Sequence, residues 1–269
     1  MNHLLRGIAP ITDAGWQLLD SEARERLTSA LAARKLVDFS GAHGWDYSAT
    51  NLGRTEALGD APCEGVQARR RRVLQLVELR AEFALSREEL RDAERGAADV
   101  DLEALDTAAR RISRAENIAV FHGYREGGVT GITEASSHQP IELSADFDDY
   151  PGLAARAVEM LLQVGIDGPY GLALGREEYT GVIETTEHGG YPVLDHLRKI
   201  LGGPLVWAPG VRGAVVLSMR GGDFLFEGGQ DLSIGYLDHD ADRVRLYLEE
   251  SFSFRVATAE AAVQLAPRA

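Results

Sequence analysis

Between residues 41 and 72 the chain contains Gly44-Trp45-Asp46-Tyr47, Leu52-Gly53, Gly59-Asp60-Ala61-Pro62 and Gly65, with too few apolar residues facing one way to bury the segment against itself. A lone two-stranded ribbon is marginal in water. A disordered linker, on the other hand, would not carry this Trp, Tyr and Leu content. An extended hairpin arm that packs on another subunit satisfies both constraints. The chain is therefore expected to associate with copies of itself, and its remaining 237 positions must build the body that carries the arm.

That body has ample material. Of 269 residues, 45% are hydrophobic and 26% charged, enough for one large domain or two modest ones. Met1-Asn2-His3-Leu4-Leu5-Arg6 leads into Gly7 and Pro10 without the apolar run of an export signal. No stretch approaches the roughly 20 apolar residues that span a bilayer. One cysteine, Cys63, cannot form an internal disulfide, which points to a reducing cytoplasm. The net charge of -14 repels nucleic acid and anionic membranes. The one basic run, Arg69-Arg70-Arg71-Arg72, has no aromatic platform beside it and reads as a charged strand edge or an inter-subunit ion-pair partner.

Periodicity supplies the elements. Thr12 or Asp13 can cap a helix whose apolar face runs Trp16, Leu19, Ala23, Leu27 and Leu31. Residues 36–39 read as a short strand and 73–85 as a longer one. Ser86 and Glu89 make a capping box for a helix ending near Gly96. Asp101 caps the longest helix, with Leu102, Leu105, Ala109 and Ile112 on one face and Gly123 as its stop. Pro151 opens a helix that ends at Gly165; residues 170–174 form a strand, 176–184 a helix, and Pro192 leads a helix over 193–201. Strands follow at 205–207, 214–219, 224–226, 232–236, 244–248, 252–256 and 263–265, with turns between. The class is α+β, helices against antiparallel sheet.

Chemistry is sparse. Neither a phosphate-binding loop, a nucleophile elbow nor H-E-x-x-H occurs. Gly221-Gly222 opens onto a strand rather than a helix, so it reads as a tight hairpin turn. Asp238-His239-Asp240 with Asp242 has no second ligand group at a recognisable spacing and reads as a polar turn. His122 reads as a capping or core histidine, and Cys63 as a buried or incidental thiol. No carboxylate sits isolated among apolar neighbours, as a raised pKa would require. An enzyme is not expected, and no metal or other cofactor.

The order of these pieces resembles the encapsulin shell proteins, bacterial nanocompartments with the HK97-like fold of tailed-phage capsids. The matching residues are Ile8-Ala9-Pro10-Ile11-Thr12 with Trp16, Arg34-Lys35-Leu36-Val37-Asp38, Gly44-Trp45-Asp46-Tyr47 and Leu76-Val77-Glu78-Leu79-Arg80. Further along they are Glu94-Arg95-Gly96, Gly168-Pro169-Tyr170, Arg220-Gly221-Gly222-Asp223-Phe224, the run 230–236 and Val244-Arg245-Leu246-Tyr247. Each is weak alone. Nine in order across the chain are specific.

The resemblance implies a subunit of a sixty-copy icosahedral cage, closed by head-to-tail contacts. It implies an amino-terminal piece (1–40), an extended arm (41–75), a peripheral domain (76–135 and 220–269) and an axial domain (136–219). The axial loop would bring Glu187, His188, Gly189, Gly190 and Tyr191 to a five-fold pore, with one glycine more than the family pattern. Inside, a cargo enzyme such as a dye-decolorizing peroxidase or ferritin-like protein would be held by a tail peptide. Its groove would be Leu27, Leu31, Arg34, Asp38 and Phe39. Some members bind flavin through an arginine and a tryptophan; Arg80 matches the first, but Glu88 replaces the second, so flavin is not expected. A prophage capsid of the same fold is disfavoured, because sixty copies at -14 would surround packaged DNA with acid. A stand-alone hydrolase finds no support beyond scattered acidic residues and histidines.

Overall fold

The computed structural model describes residues 3–187 and 189–268. In chain order it holds helix α1 (Asp13–Ala30) and strands β1 (Asp38–Ser40), β2 (Ala49–Ala57), β3 (Arg69–Gln75) and β4 (Val77–Ser86). Helices α2 (Arg87–Glu94), α3 (Glu103–His122) and α4 (Ile132–Ala135) follow, then β5 (Ile141–Glu142), α5 (Tyr150–Gln163) and β6 (Tyr170–Leu174). Helices α6 (Arg176–Glu184) and α7 (Val193–Leu201) lead to β7 (Gly202–Trp207), β8 (Ala214–Ser218), β9 (Phe224–Gly228), β10 (Ser233–His239), β11 (Arg243–Val256) and β12 (Ala262–Ala266).

Local chemistry sets the helix ends. Thr12 Oγ1 accepts the Gly15 N–H at 3.2 Å, and α1 buries Trp16, Leu19, Ala23 and Leu27 along one face. Ser86 accepts the N–H groups of Glu88 and Glu89 at the start of α2. The Glu89 carboxylate does not fold back on Ser86. It accepts the Asp101 N–H at 3.0 Å, so half of the expected capping box forms and the other half ties α2 to the approach of α3. Helix α3 stops at Gly123, whose φ of 88° favours glycine.

Two five-stranded sheets and a two-stranded ribbon result. The first sheet runs β1-β9-β11-β10, with β4 also paired to β11 over residues 243–252; the second runs β5-β12-β8-β6-β7. Both are mixed rather than antiparallel: β1 with β9, β12 with β5 and β6 with β7 are parallel. The β6–β7 pair is parallel because α6 and α7 carry the chain back before it re-enters the sheet.

Three further expectations are corrected. Residues 244–248 and 252–256 are one continuous strand, β11, because Glu249 and Glu250 between them are buried and paired rather than turned to water. Strands β8 and β9 lie in different sheets, so Gly221-Gly222, with φ of 89° and 84°, is a crossing between sheets and not a hairpin. Arg220 grips Asp223 with two bonds of 2.9 and 3.0 Å across that turn. Leu36 and Val37 are not strand: their N–H groups donate to the Ala33 carbonyl, closing a tight turn, and β1 begins only at Asp38.

One core packs α5, α7 and the end of α3 against the second sheet and reaches Phe226, Phe252 and Phe254 of the first. The other lies between α1, α3 and strands β4, β10 and β11. Asn117, fully buried on α3, stitches these parts together. Its Oδ1 accepts the Ala32 and Ala33 N–H groups at 3.0 Å, and its Nδ2 donates to the carbonyls of Ala30 (2.9 Å) and Pro209 (3.1 Å).

β2 and β3 form the ribbon within the segment expected to be an arm, paired from Ala49↔Gln75 to Ala57↔Arg69. Arg69 to Arg72 are exposed along β3, and Arg70 reaches Glu56 at 3.3 Å. The Cys63 thiol is exposed beyond β2 rather than buried. Among the described residues no helix is long and apolar enough to cross a membrane.

Candidate functional site

A cavity of about 370 Å³ opens between α1 and the edge of the first sheet. Leu27 of α1 and Leu31, just past its end, face Ile234 and Leu248 across it, with Arg34 and Asp231 at its polar side. Positions 23 and 27 share the inward face of α1 and Leu31 caps its end below them, while Ile234 is presented from β10 with Leu232 just before that strand. Three expected groove residues, Leu27, Leu31 and Arg34, therefore meet; Asp38 and Phe39 are not in the lining. Asp38 Oδ2 instead accepts the Gly222 N–H at 2.7 Å, and the Phe39 ring packs on Phe226 at 5.3 Å. Residues 231–234 and Leu248 form the opposite wall. Their alternation identifies them as core strand residues, and Ile234 and Leu248 are indeed buried; nothing in it says that Asp231, Leu232 and Ser233 beside them stay partly open.

Arg34 is heavily committed. Its Nε and one Nη donate to Glu116 Oε2 and Glu250 Oε2, both at 2.6 Å, and the other Nη donates to Asp231 Oδ1 at 2.7 Å. Its guanidinium also lies over the rings of Phe39 (4.8 Å) and Phe226 (5.4 Å). Burial opposes its charge, but Glu116, Glu250 and Asp231 outweigh that and raise its pKa. Burial likewise pushes Glu116 up and Glu250 well up, with the Glu116 charge adding at Glu250 and Arg34 opposing at both. This corrects the expectation that no carboxylate has the surroundings a raised pKa requires. Glu116 lies in a polar-looking helical run and Glu250 beside Glu249, and the strand sequence does not reveal an arginine 216 positions away.

The loop between α6 and α7 carries the expected pore residues; His188 lies outside the described residues. Glu187 N–H donates to the Tyr191 carbonyl and Gly190 N–H to the Glu187 carbonyl, each at 2.8 Å. Gly189 and Gly190, at φ of 118° and 81°, make the reversal. The Glu187 carboxylate is drawn to His196 on α7, and Lys199 sits 4.8 Å from the centre of the Tyr191 ring.

The other residues with chemical potential are engaged locally. His122 Nε2 accepts the Arg212 N–H at 3.0 Å, so its Nδ1 carries the proton toward Thr133 Oγ1 at 3.1 Å. Burial first, and Arg212 second, lower its pKa and keep it neutral. Asp238 pairs with Arg245, and Asp240 Oδ1 accepts the N–H groups of Asp242 and Arg243, as a polar turn does. Arg80 pairs with Glu249 and covers the Tyr247 ring at 4.1 Å, while Glu88 pairs with Arg91 and Arg95. Among the described residues no group of three or more His, Cys, Asp or Glu is placed to hold a metal ion.

Residues 1–253 match a family model described as an encapsulating protein for peroxidase. A type 1 encapsulin shell protein from Rhodospirillum rubrum is 52% identical over 270 aligned positions, covering 98% of this chain and 96% of that protein. A virus-like particle from Pyrococcus furiosus superposes with a TM-score of 0.65 at 17% identity, over 93% of this chain and 98% of that one. Mycobacterium phage Bobi gives 0.59 at 15%, over 90% and 91%. The fold is thus the α+β, HK97-like capsid fold. In sequence and in architecture, this chain belongs to the type 1 encapsulin shell proteins.

Proposed function

We propose that the chain is a structural subunit, not an enzyme, that self-assembles in the cytoplasm into a closed icosahedral cage of sixty copies around a cargo protein. The arm is the observation that carries this reading. Its β2–β3 ribbon is solvent-exposed over most of its length and finds little of its own chain to lie against, which suits a limb that completes its burial on a neighbour. Residues 76–135 with 220–269 would form the peripheral domain, 136–219 the axial domain and 41–75 the arm.

The cavity beneath α1 suits the tail peptide of a cargo. Leu27, Leu31, Ile234 and Leu248 would accept two or three aliphatic side chains, each worth about 1.5–3 kcal/mol when fully buried. Half-exposed Asp231 offers the accessible charge, with Arg34 held behind it and Asp38 and Phe39 flanking. The family description names a peroxidase, and a ferritin-like protein would suit the same capture. Glu187, His188, Gly189, Gly190 and Tyr191 would line the five-fold opening.

Size-exclusion chromatography with negative-stain microscopy of the purified chain tests the reading. Hollow particles of uniform diameter are expected; a monomer at near-neutral pH overturns it, and particles filled with DNA would favour a phage capsid instead.

A further inference from the structure

Glu116 on α3 and Glu250 on β11 are 0% and 1% exposed, and each gives its Oε2 to Arg34. Their other oxygens, Glu116 Oε1 and Glu250 Oε1, are also buried, and no donor among the described residues reaches either. The two carboxyl groups lie within hydrogen-bonding range of each other. A buried acceptor without a donor is rare, and two in carboxyl groups that share one arginine are rarer.

Charge makes the same point. One guanidinium cannot neutralise two buried carboxylates, and the third partner, Asp231, adds a further negative charge from its half-exposed position. The Phe39 and Phe226 rings lie against the same guanidinium and add no charge. The neighbouring Glu249 is taken by Arg80, with His3 Nε2 at 3.8 Å, and brings no cation to this cluster. A single proton shared by the two carboxyl groups resolves both problems. It supplies the missing donor, and it leaves one buried negative charge opposite one positive.

We propose that Glu116 and Glu250 form a carboxyl–carboxylate pair that binds one shared proton at neutral pH and thereby positions Arg34 in the wall of the α1 cavity. Through Arg34 the pair ties together the turn after α1, helix α3 and strand β11. The sign of its pH dependence follows. Burial raises both carboxyls, so the folded chain keeps a proton that the unfolded chain releases in the ordinary carboxylate range. The stabilisation is full below that range and is lost as pH rises through the pair's own titration. Deprotonation then leaves two carboxylates repelling each other behind Arg34, and the cavity wall loosens. This holds whether or not the cavity takes a cargo peptide.

Infrared difference spectroscopy of the assembled full chain in light and heavy water provides the test. A protonated carboxyl gives a deuterium-sensitive carbonyl stretch distinct from ionised carboxylates. One such group per chain is expected at neutral pH, lost in Glu250→Gln and in Glu116→Gln, since the amide supplies the bridging hydrogen itself. The melting temperature of the wild-type protein should fall from mildly acidic to mildly alkaline pH, and hydrogen exchange over residues 27–36, corrected for its intrinsic pH dependence, should rise. Both slopes should flatten in the Gln variants. No protonated band at neutral pH, or an undiminished band in both variants, overturns the shared proton. Variants whose melting and exchange keep the wild-type slopes overturn its link to Arg34. Should neither variant fold, the wild-type band alone decides.

Discussion

His196 Nδ1 lies 2.6 Å from Glu187 Oε1, so the first turns of α7 hold the loop that precedes them. Glu187→Ala should release it. A hydrogen bond of this kind contributes about 1 kcal/mol, which corresponds to roughly fivefold faster amide exchange over residues 185–192. Particle formation should be unaffected. Exchange that stays at the wild-type rate would mean the carboxylate spends its time elsewhere.

Asn117 satisfies four backbone groups at once from a fully buried position. Asn117→Ala would strand the Ala32 and Ala33 N–H groups and the Ala30 and Pro209 carbonyls together. The expected cost is about 3 kcal/mol or more, since each unpaired buried group carries its own desolvation penalty. Denaturant titration of wild type and variant under identical conditions reads it; a shift smaller than about 1 kcal/mol would show that water enters and replaces the side chain.

Deletion of residues 46–65 removes β2 and the turn beyond it while leaving β4 and its ladder to β11. The shortened chain should keep its secondary structure by circular dichroism yet form no closed particles. Normal particles from it would take the arm out of the assembly. The exposed Cys63 gives a second readout: maleimide should label it fully in unassembled chains and more slowly once neighbouring copies cover the arm.

Leu31→Asp places a charge in the apolar lining opposite Ile234 and Leu248. Particles should still form, and the protein that co-purifies inside them should drop by at least tenfold, because an aliphatic side chain would meet a carboxylate where it now meets Leu31. Mass spectrometry of washed particles measures it. Equal loading in the variant would move the docking site away from α1.

What could be read in advance follows the range of the interactions. Thr12, Ser86, Gly123 and the apolar steps 16, 19, 23 and 27 act over a turn or two, and the helices begin and end where those residues stand. The strand at 170–174 is apolar throughout and buried on both faces, so its sequence is unambiguous. The failures involve partners distant in sequence. Glu249-Glu250-Ser251 looks like a break between two short strands until Arg34 and Arg80 arrive from the other end of the chain. Gly221-Gly222 looks the same whether it joins two strands of one sheet or two sheets. At the cavity, the α1 wall was legible as a helical stripe, whereas the β10 wall could not be told from ordinary core, and Glu89 chose a distant backbone amide over its own cap.

Only Leu76 separates β3 from β4, and β4 is then bonded residue by residue to β11. The ribbon and the sheet are in effect one bent rod, with its elbow at a single residue. From the ribbon's base to the strand that holds Glu249 and Glu250 the path runs through paired strands, with no loop between β3 and β4. A contact made far out on the limb is thus felt mechanically at the heart of the subunit.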